Sequence, residues 1–318
     1  MRALAFVALL TISALVTAAG QAAKDWTPPR TPDGQPDIQG IWTNYTSTPF
    51  EVPDSSDKPD FYAGDLDGTG RGTGPSSFLT DTTDRTLSKA RSLVVDPPSG
   101  RVPIMAWAEE TRNYKLAHIQ DDWVNFTPWE RCITRGVPGG IFPAGYGSGY
   151  QILQGPGYVA IVYEMIHEAR IIPVDGRPHL GAGFRLWNGD SRGHWEGNTL
   201  VVDVAHFNDR TWFSRSGDFH SDALHVVERF TPITSDALRY EVTIEDPNVF
   251  TRPWKMKMVL YRQLDDNAVL MDYRCLELVE ETFLGHTRKD PLVKHWEGET
   301  IVLDVTRRIP PGDKRYER

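Results

Sequence analysis

From residue 159 onward, apolar side chains recur at every second position, and this period of two limits the fold more than any other feature of the chain. Over 159–172 one set reads Val159, Ile161, Tyr163, Met165, His167, Ala169 and Ile171, and the alternate set carries Glu164, Glu168 and Arg170. Successive side chains of a strand point to opposite faces, so the first set predicts a core face and the second a solvated ion-pair surface. Five further alternating segments follow at 199–207, 224–230, 239–245, 254–262 and 268–276, each bounded by Gly, Asn, Asp, Ser or Pro. Short strands separated by turns predict a mainly β protein: an antiparallel meander, closed as a barrel or packed as a two-sheet sandwich.

The N-terminal part reads differently. Arg2, an apolar run over 4–16 and small residues over 18–23 predict a secretory signal peptide spanning 1–23, cut between Ala19 and Lys24. The apolar run is shorter than the ~20 residues a membrane-spanning helix needs, and no later stretch is long enough either. The expected product is exported, periplasmic or secreted, with no membrane span. Residues 24–130 are crowded with Pro, Gly and Asp. They predict a loop-rich arm with a first strand at 38–45 and a short helix at 86–92. Asp65, Asp67, Gly68 and Gly70 resemble half of a calcium loop but lack its twelfth-position Glu, which leaves a polar loop.

The third division, 131–318, contains an internal repeat. His194-Trp195-Glu196-Gly197-Asn198-Thr199-Leu200-Val201-Val202-Asp203-Val204 recurs at 295–305, with eight of eleven positions identical. Glu-Gly followed by Asn or Glu suits a tight turn, because Gly accepts positive φ, and the apolar run after it suits a strand. The repeat therefore predicts two similar hairpins.

Charge narrows the partners. With 34 basic and 43 acidic residues the net charge is −9. Without a basic stripe the electrostatic attraction that drives nucleic-acid binding is missing, so no nucleic-acid partner is expected. Cys132 and Cys275 are the only cysteines; in an oxidising compartment they are free to pair, and as buried thiols they would serve as small apolar residues. Oligomeric state is not legible.

Several ionisable residues are candidates for chemistry. His167 falls on the predicted apolar face between Met165 and Ala169, two residues from Tyr163, where an imidazole serves as acid or base. His206 ends the Leu200, Val202, Val204 face, so two inward histidines are expected to share a cavity. Between two strands, a predicted loop carries Asp190, Arg192, His194 and Glu196. Arg192 is the candidate anion stabiliser, and an Asp190–Arg192 contact holding a turn explains the same residues. Tyr240, Trp254, Met256 and Met258 line the predicted interior, either as packing or as the wall of an apolar ligand site. No His-Glu-x-x-His or His-x-His spacing supports a metal, the nucleophile elbow of Ser hydrolases is absent, and Gly155-x-Gly157 lacks the third Gly of a nucleotide loop. Neither a metal nor a cofactor is expected.

Several segments carry a resemblance. They are Pro32-Asp33-Gly34-Gln35-Pro36-Asp37 leading to Gly40-Ile41-Trp42, Glu130-Arg131-Cys132-Ile133-Thr134-Arg135-Gly136, Glu164-Met165-Ile166-His167-Glu168-Ala169-Arg170-Ile171-Ile172-Pro173, Asp175-Gly176-Arg177-Pro178-His179 and Gly189-Asp190-Ser191-Arg192-Gly193. Together they resemble a large family of uncharacterised exported bacterial proteins, over roughly residues 30 to 275. That resemblance implies export and assigns no catalytic residues. Where such proteins continue from the late Cys into Cys-His-Glu-Gly, this chain has Cys275-Leu276-Glu277-Leu278. Gly40-Ile41-Trp42 also resembles the Gly-x-Trp of lipocalins, which implies a lipocalin-like barrel as one form of the fold.

Three functions fit these readings. The first is an exported lyase, isomerase or hydrolase acting on a small, partly apolar molecule, with His167 as base and Arg192 as anion stabiliser. The second is a lipocalin-like carrier of an apolar small molecule. The third is a structural or partner-binding β domain.

Overall fold

The structure is a computed structural model that describes residues 26–44, 48–52, 90–118, 127–128, 131–143, 147–212, 217–273, 275, 293–297 and 300–303. The expected signal peptide, the Asp65–Gly70 loop and most of the predicted 86–92 helix lie outside the described residues.

The chain is mainly β. Its strands are β1 (Gly40–Thr43), β2 (Val94–Asp96), β3 (Gly149–Gly155), β4 (Tyr158–Tyr163), β5 (Ala169–Pro173), β6 (Asp190–Glu196), β7 (Thr199–Ala205), β8 (His225–Thr234), β9 (Ala237–Glu245), β10 (Trp254–Arg262), β11 (Val293–Glu297) and β12 (Thr300–Leu303). Among the described residues one α-helix, α1 (Ala106–Ala117), lies in the N-terminal arm, downstream of the short helix expected at 86–92. Nine strands form one antiparallel sheet in the order β5-β4-β3-β1-β10-β9-β8-β7-β6, and β2 pairs with β10 beside this path. It is two meanders, β3 to β5 and β6 to β10, joined through β1, whose ladders run to β3 on one side and β10 on the other.

The sheet curls until its two ends face each other, giving a nearly closed barrel. Strands β5 and β6 are neighbours without a shared ladder. A Cβ added to Gly193 of β6 would lie 2.8 Å from Val174 and 2.9 Å from Ile172. Side-chain contact therefore closes the seam where hydrogen-bond pairing stops. Most inward positions are apolar: Leu200, Val202 and Val204 of β7, Val226 and Phe230 of β8, and Tyr240, Val242 and Ile244 of β9 are at most 1% exposed and belong to one continuous core. Burial on this scale, at about 25 cal/mol per Å² of apolar surface, is the main force holding such a barrel together. Trp254, Met256 and Met258 of β10 join the same core at 0–2% exposure.

The predicted strand 159–172 is instead a hairpin. Val159, Ile161, Tyr163 and Met165 face inward as expected, and then the chain turns. Ile166 and His167 have φ of 66° and 54°, a left-handed conformation that non-glycine residues adopt only when their surroundings impose it. The turn reverses the faces: Arg170 and Ile172 are buried at 5% and 0%, and Ile171 is 57% exposed. The expected ion-pair surface and the expected inward His167 are both corrected by this reversal. The predicted strand at 268–276 is also corrected, because the described residues 263–273 are irregular and Val269 and Met271 are 76% and 61% exposed.

A disulfide joins Cys132 to Cys275 across 143 residues of sequence. It brackets the β4–β5 turn: Thr134 donates to Glu168 Oε2 at 2.5 Å, His167 Nε2 pairs with Asp272 at 3.0 Å, and Met271 N–H donates to Glu164 at 3.2 Å. The repeat forms two hairpins that share a register next to the turn, with Trp195 opposite Leu200 and Glu196 opposite Thr199 in β6–β7, and Trp296 opposite Ile301 and Glu297 opposite Thr300 in β11–β12, whose register shifts between Val293 and Trp296. Among the described residues no helix is long and apolar enough to cross a membrane.

Candidate functional site

Among the described residues, two groups of polar side chains on the strands of the sheet bear on function, one inside the barrel and one on its outer face. The inner group starts from Arg170 of β5. Its guanidinium meets Glu228 of β8 in a buried ion pair, donates from Nε to Ser191 Oγ of β6 at 2.9 Å, and lies beside Tyr163. Tyr240 donates its hydroxyl to the second oxygen of Glu228 at 2.8 Å. Burial pushes the Tyr163 phenol well above its usual range despite the opposing Arg170 charge, so it is a neutral hydrogen-bonding group. The Arg170–Glu228 pair spans the sheet and ties its two end strands to β8. At 5% and 0% exposure neither residue meets solvent.

The outer group is built on β6, β7 and β8. Since Leu200, Val202 and Val204 face inward, Asp203 between them faces out, and pairing places Arg192 opposite it. The segment between β5 and β6 carries His179 onto this face. His179 Nδ1 meets Asp190 at 2.9 Å, and its Nε2 meets Asp203 Oδ1 at 2.7 Å. The other oxygen of Asp203 meets His225 Nε2 of β8 at 2.8 Å. Asp190 also accepts from Leu180 N–H at 2.8 Å and from Arg192 at 2.6 Å. Burial alone would raise both carboxyls; for Asp190 the bonds from Leu180, His179 and Arg192 outweigh it, and for Asp203 those from His225 and His179 do, so both are held below the ordinary aspartate value.

Beside this network the barrel surface opens into a hollow of about 430 Å³ lined by Arg185, Trp187, Asn208, Asp209, Arg210 and Asp222. Arg185 Nη1 donates to His206 Nδ1 at 3.2 Å, and the His206 ring lies 5.8 Å from the His179 ring, edge to face. The hollow thus adjoins the histidine–carboxylate network through His206. His206 and Asp209 both have positive φ, 61° and 53°. Such backbone tends to collect at functional sites. Leu180, Phe184, Leu186 and Trp187 of the covering segment are 37–57% exposed, an apolar patch at the hollow's margin.

The predicted site residues separate. Asp190, Arg192 and His206 come together here, although Asp190 and Arg192 stand on strand β6 and not in a loop. Arg192 is engaged by Asp190 and by the Pro178 carbonyl at 2.7 Å, so it positions the aspartate. His206 leaves the β7 alternation at its positive φ and belongs to the outer face, not to a shared cavity with an inward His167. His167 is 45% exposed beside Asp272 near the disulfide. Tyr163 belongs to the inner group, Met165 is 3% exposed beneath Gly147, and Tyr240, Trp254, Met256 and Met258 are core residues, none of them lining the hollow.

His179, Asp203, His225 and Arg185 went unread as functional positions. The signal was present for two of them: Asp203 is the one charge in an otherwise apolar strand, and His179 ends the Asp175–His179 motif. Among the described residues no group of three His, Cys, Asp or Glu side chains is arranged to hold a metal ion. No family model, curated protein or solved structure matches the chain, and the chemistry of the site is read from its own residues.

Proposed function

We propose that the protein is an exported enzyme performing acid/base chemistry on a small, partly apolar molecule, with the reacting groups on the outer face of β6, β7 and β8. The observation that carries the reading is Asp203 shared between two imidazoles. A carboxylate only accepts hydrogen bonds, so His225 donates from Nε2 and its neutral ring keeps the lone pair on Nδ1. That nitrogen has no partner among the described residues, and the side chain is 41% exposed. An imidazole oriented by a carboxylate with its second nitrogen open is the usual arrangement of a general base. On the hollow side, the Arg185 guanidinium only donates, so a neutral His206 carries its proton on Nε2 and offers a donor to bound substrate. His179, held at both nitrogens, fixes the spacing between the two.

The test is a screen of purified protein against p-nitrophenyl esters, p-nitrophenyl glycosides and small lactones, followed by His225→Gln and Asp203→Asn in any reaction found. The reading expects kcat/KM to fall ~100-fold or more in His225→Gln, with Tm within a few degrees because the ring is exposed. Unchanged turnover in both variants overturns it. A binding protein without turnover is the second reading, favoured by the exposed Phe184 and Trp187 at the hollow's margin.

A further inference from the structure

We infer that the hollow binds a neutral, polyhydroxylated ligand, a saccharide of one or two rings, through Trp187 and the planar polar side chains around it. The inference rests on the outer face being the functional one and names what that face takes. Its size falls within the roughly 300–1,000 Å³ of small-molecule sites.

The lining selects the ligand by elimination. Two arginines and two aspartates leave the wall with no net charge. Arg185 Nε already pairs with Asp222 at 3.5 Å, so an anion or a cation would have to disrupt that pair and would meet a like charge beside each opposite one, whereas a neutral ligand leaves the pair intact. A purely apolar ligand would strip water from five polar side chains and return no hydrogen bond. A sugar ring fits both parts of the wall. Its C–H face covers an indole, and its vicinal hydroxyls both donate, to Asp209, Asp222 and Asn208, and accept, from Arg185 and Arg210. Trp187 is 37% exposed and available for such stacking.

The wall is also preorganised. Leu186 N–H donates to the His206 carbonyl at 2.8 Å, Asn208 N–H returns a bond to the Leu186 carbonyl at 3.0 Å, and Arg210 N–H donates to Asn208 Oδ1 at 3.2 Å. These bonds lock the segment carrying Trp187 to the segment carrying Asn208, Asp209 and Arg210 before any ligand arrives, which lowers the ordering cost of binding.

The experiment is calorimetric titration of the full exported protein with maltose, cellobiose, xylobiose and N,N′-diacetylchitobiose, with glucuronate, glucosamine and cyclohexylmethanol as charged and apolar controls. The inference expects saturable binding of at least one neutral disaccharide in preference to the controls. Trp187→Ala and Asp222→Ala should each weaken it about five- to tenfold, the size of one aromatic or polar contact. Trp107→Ala, which removes a 50% exposed Trp on α1, should not. Circular dichroism of each variant separates lost binding from lost fold. Absence of binding by all four disaccharides, preference for a control, or full affinity in both hollow variants overturns the inference. Catalysis found in the ester and lactone screen would in that case leave the acid/base reading standing. Saccharide binding without turnover would retain the ligand class and overturn the catalytic reading instead.

Discussion

Arg170 crosses the one seam that the barrel leaves without a ladder, donating from Nε to Ser191 Oγ at 2.9 Å while its guanidinium tip pairs with Glu228. The strand that carries it, β5, is one end of the sheet, Ser191 lies on the other end, and Glu228 comes from β8, two strands further in. A single side chain therefore bridges both ends of the sheet and anchors them to its interior. Desolvating such a charge is expensive, and the pair compensates only while both partners and the Tyr240 hydroxyl remain.

Arg170→Met should consequently destabilise the protein by ~3–5 kcal/mol, because it leaves the Glu228 carboxylate buried with Tyr240 as its remaining donor. The double variant Arg170→Met, Glu228→Gln should recover a substantial part of that loss, since Gln still accepts from Tyr240 and carries no charge. Urea unfolding of the three proteins measures this. A loss below about 1 kcal/mol in the single variant, or no recovery in the double, would show that the seam is held by Gly193, Ile172 and Val174 alone.

The disulfide makes a second claim about stability. Closing a loop of 143 residues restricts the unfolded chain by about 5 kcal/mol in the chain-entropy treatment, and measured values for native disulfides are typically 2–5. Cys132→Ser with Cys275→Ser should lower the urea midpoint accordingly, and dithiothreitol should do the same to the natural protein. Mapping of non-reduced peptides should recover the two cysteines joined. Alkylation of both thiols without reductant would remove the premise.

These features differ in how far the sequence discloses them. The alternation in β7, β8, β9 and β10 is read directly, because one face of each is buried in a single core and the turns between them carry Gly, Asn, Asp or Ser. The β4–β5 turn has no such marker. Glu164, Met165, Ile166 and His167 are not turn formers, and Ile166 and His167 take left-handed backbone in a turn held by residues far away in sequence, Asp272 at His167 and Thr134 at Glu168. Within the 159–172 segment, the inward assignments after residue 165 inverted for that reason. Alternation at 268–276 misled in the opposite way: a pattern of period two forms no strand without a neighbour to complete its ladder. At the outer site, Asp190, Arg192 and His206 were legible as residue types worth weighing. Their assembly with His179 and His225 was not, since it depends on which face of three strands looks out and on where the segment after β5 lies.

Glu51 provides a pH test. Burial, with the Asp218 charge next, raises its carboxyl from 4.5 to about 7, against the Val102 N–H and the Arg101 and Arg112 charges, which lower it. A carboxyl with a raised folded pKa contributes fully below its unfolded value and loses that contribution as pH rises toward the folded one. Between about 4.5 and 7 the unfolded chain releases this proton while the folded chain keeps it, so this group's contribution falls across that window. Glu51→Gln, which still accepts from Val102 N–H, should gain on the natural protein between pH 5 and pH 8 by on the order of 2–3 kcal/mol. An equal stability difference at both pH values would place Glu51 in water.

Asp190 should act with the opposite sign. Burial would raise its carboxyl, but the bonds from Leu180 N–H, His179 and Arg192 hold it below 3.8. A depressed carboxyl contributes stability above its unfolded pKa and loses it as pH falls through the folded one, so the window lies below about pH 4. Asp190→Asn removes the charge at every pH. At pH 6 it should be clearly less stable than the natural protein, because an amide cannot accept in place of both carboxylate oxygens and Arg192 is left without its anion. As pH falls toward 3, the natural protein begins to lose the same interaction and the two unfolding midpoints should converge. Guanidinium titrations at pH 6, 4 and 3 measure the gap. A gap that stays constant through pH 3 would mean that the Asp190 carboxylate does not hold His179 and Arg192 in place on the outer face.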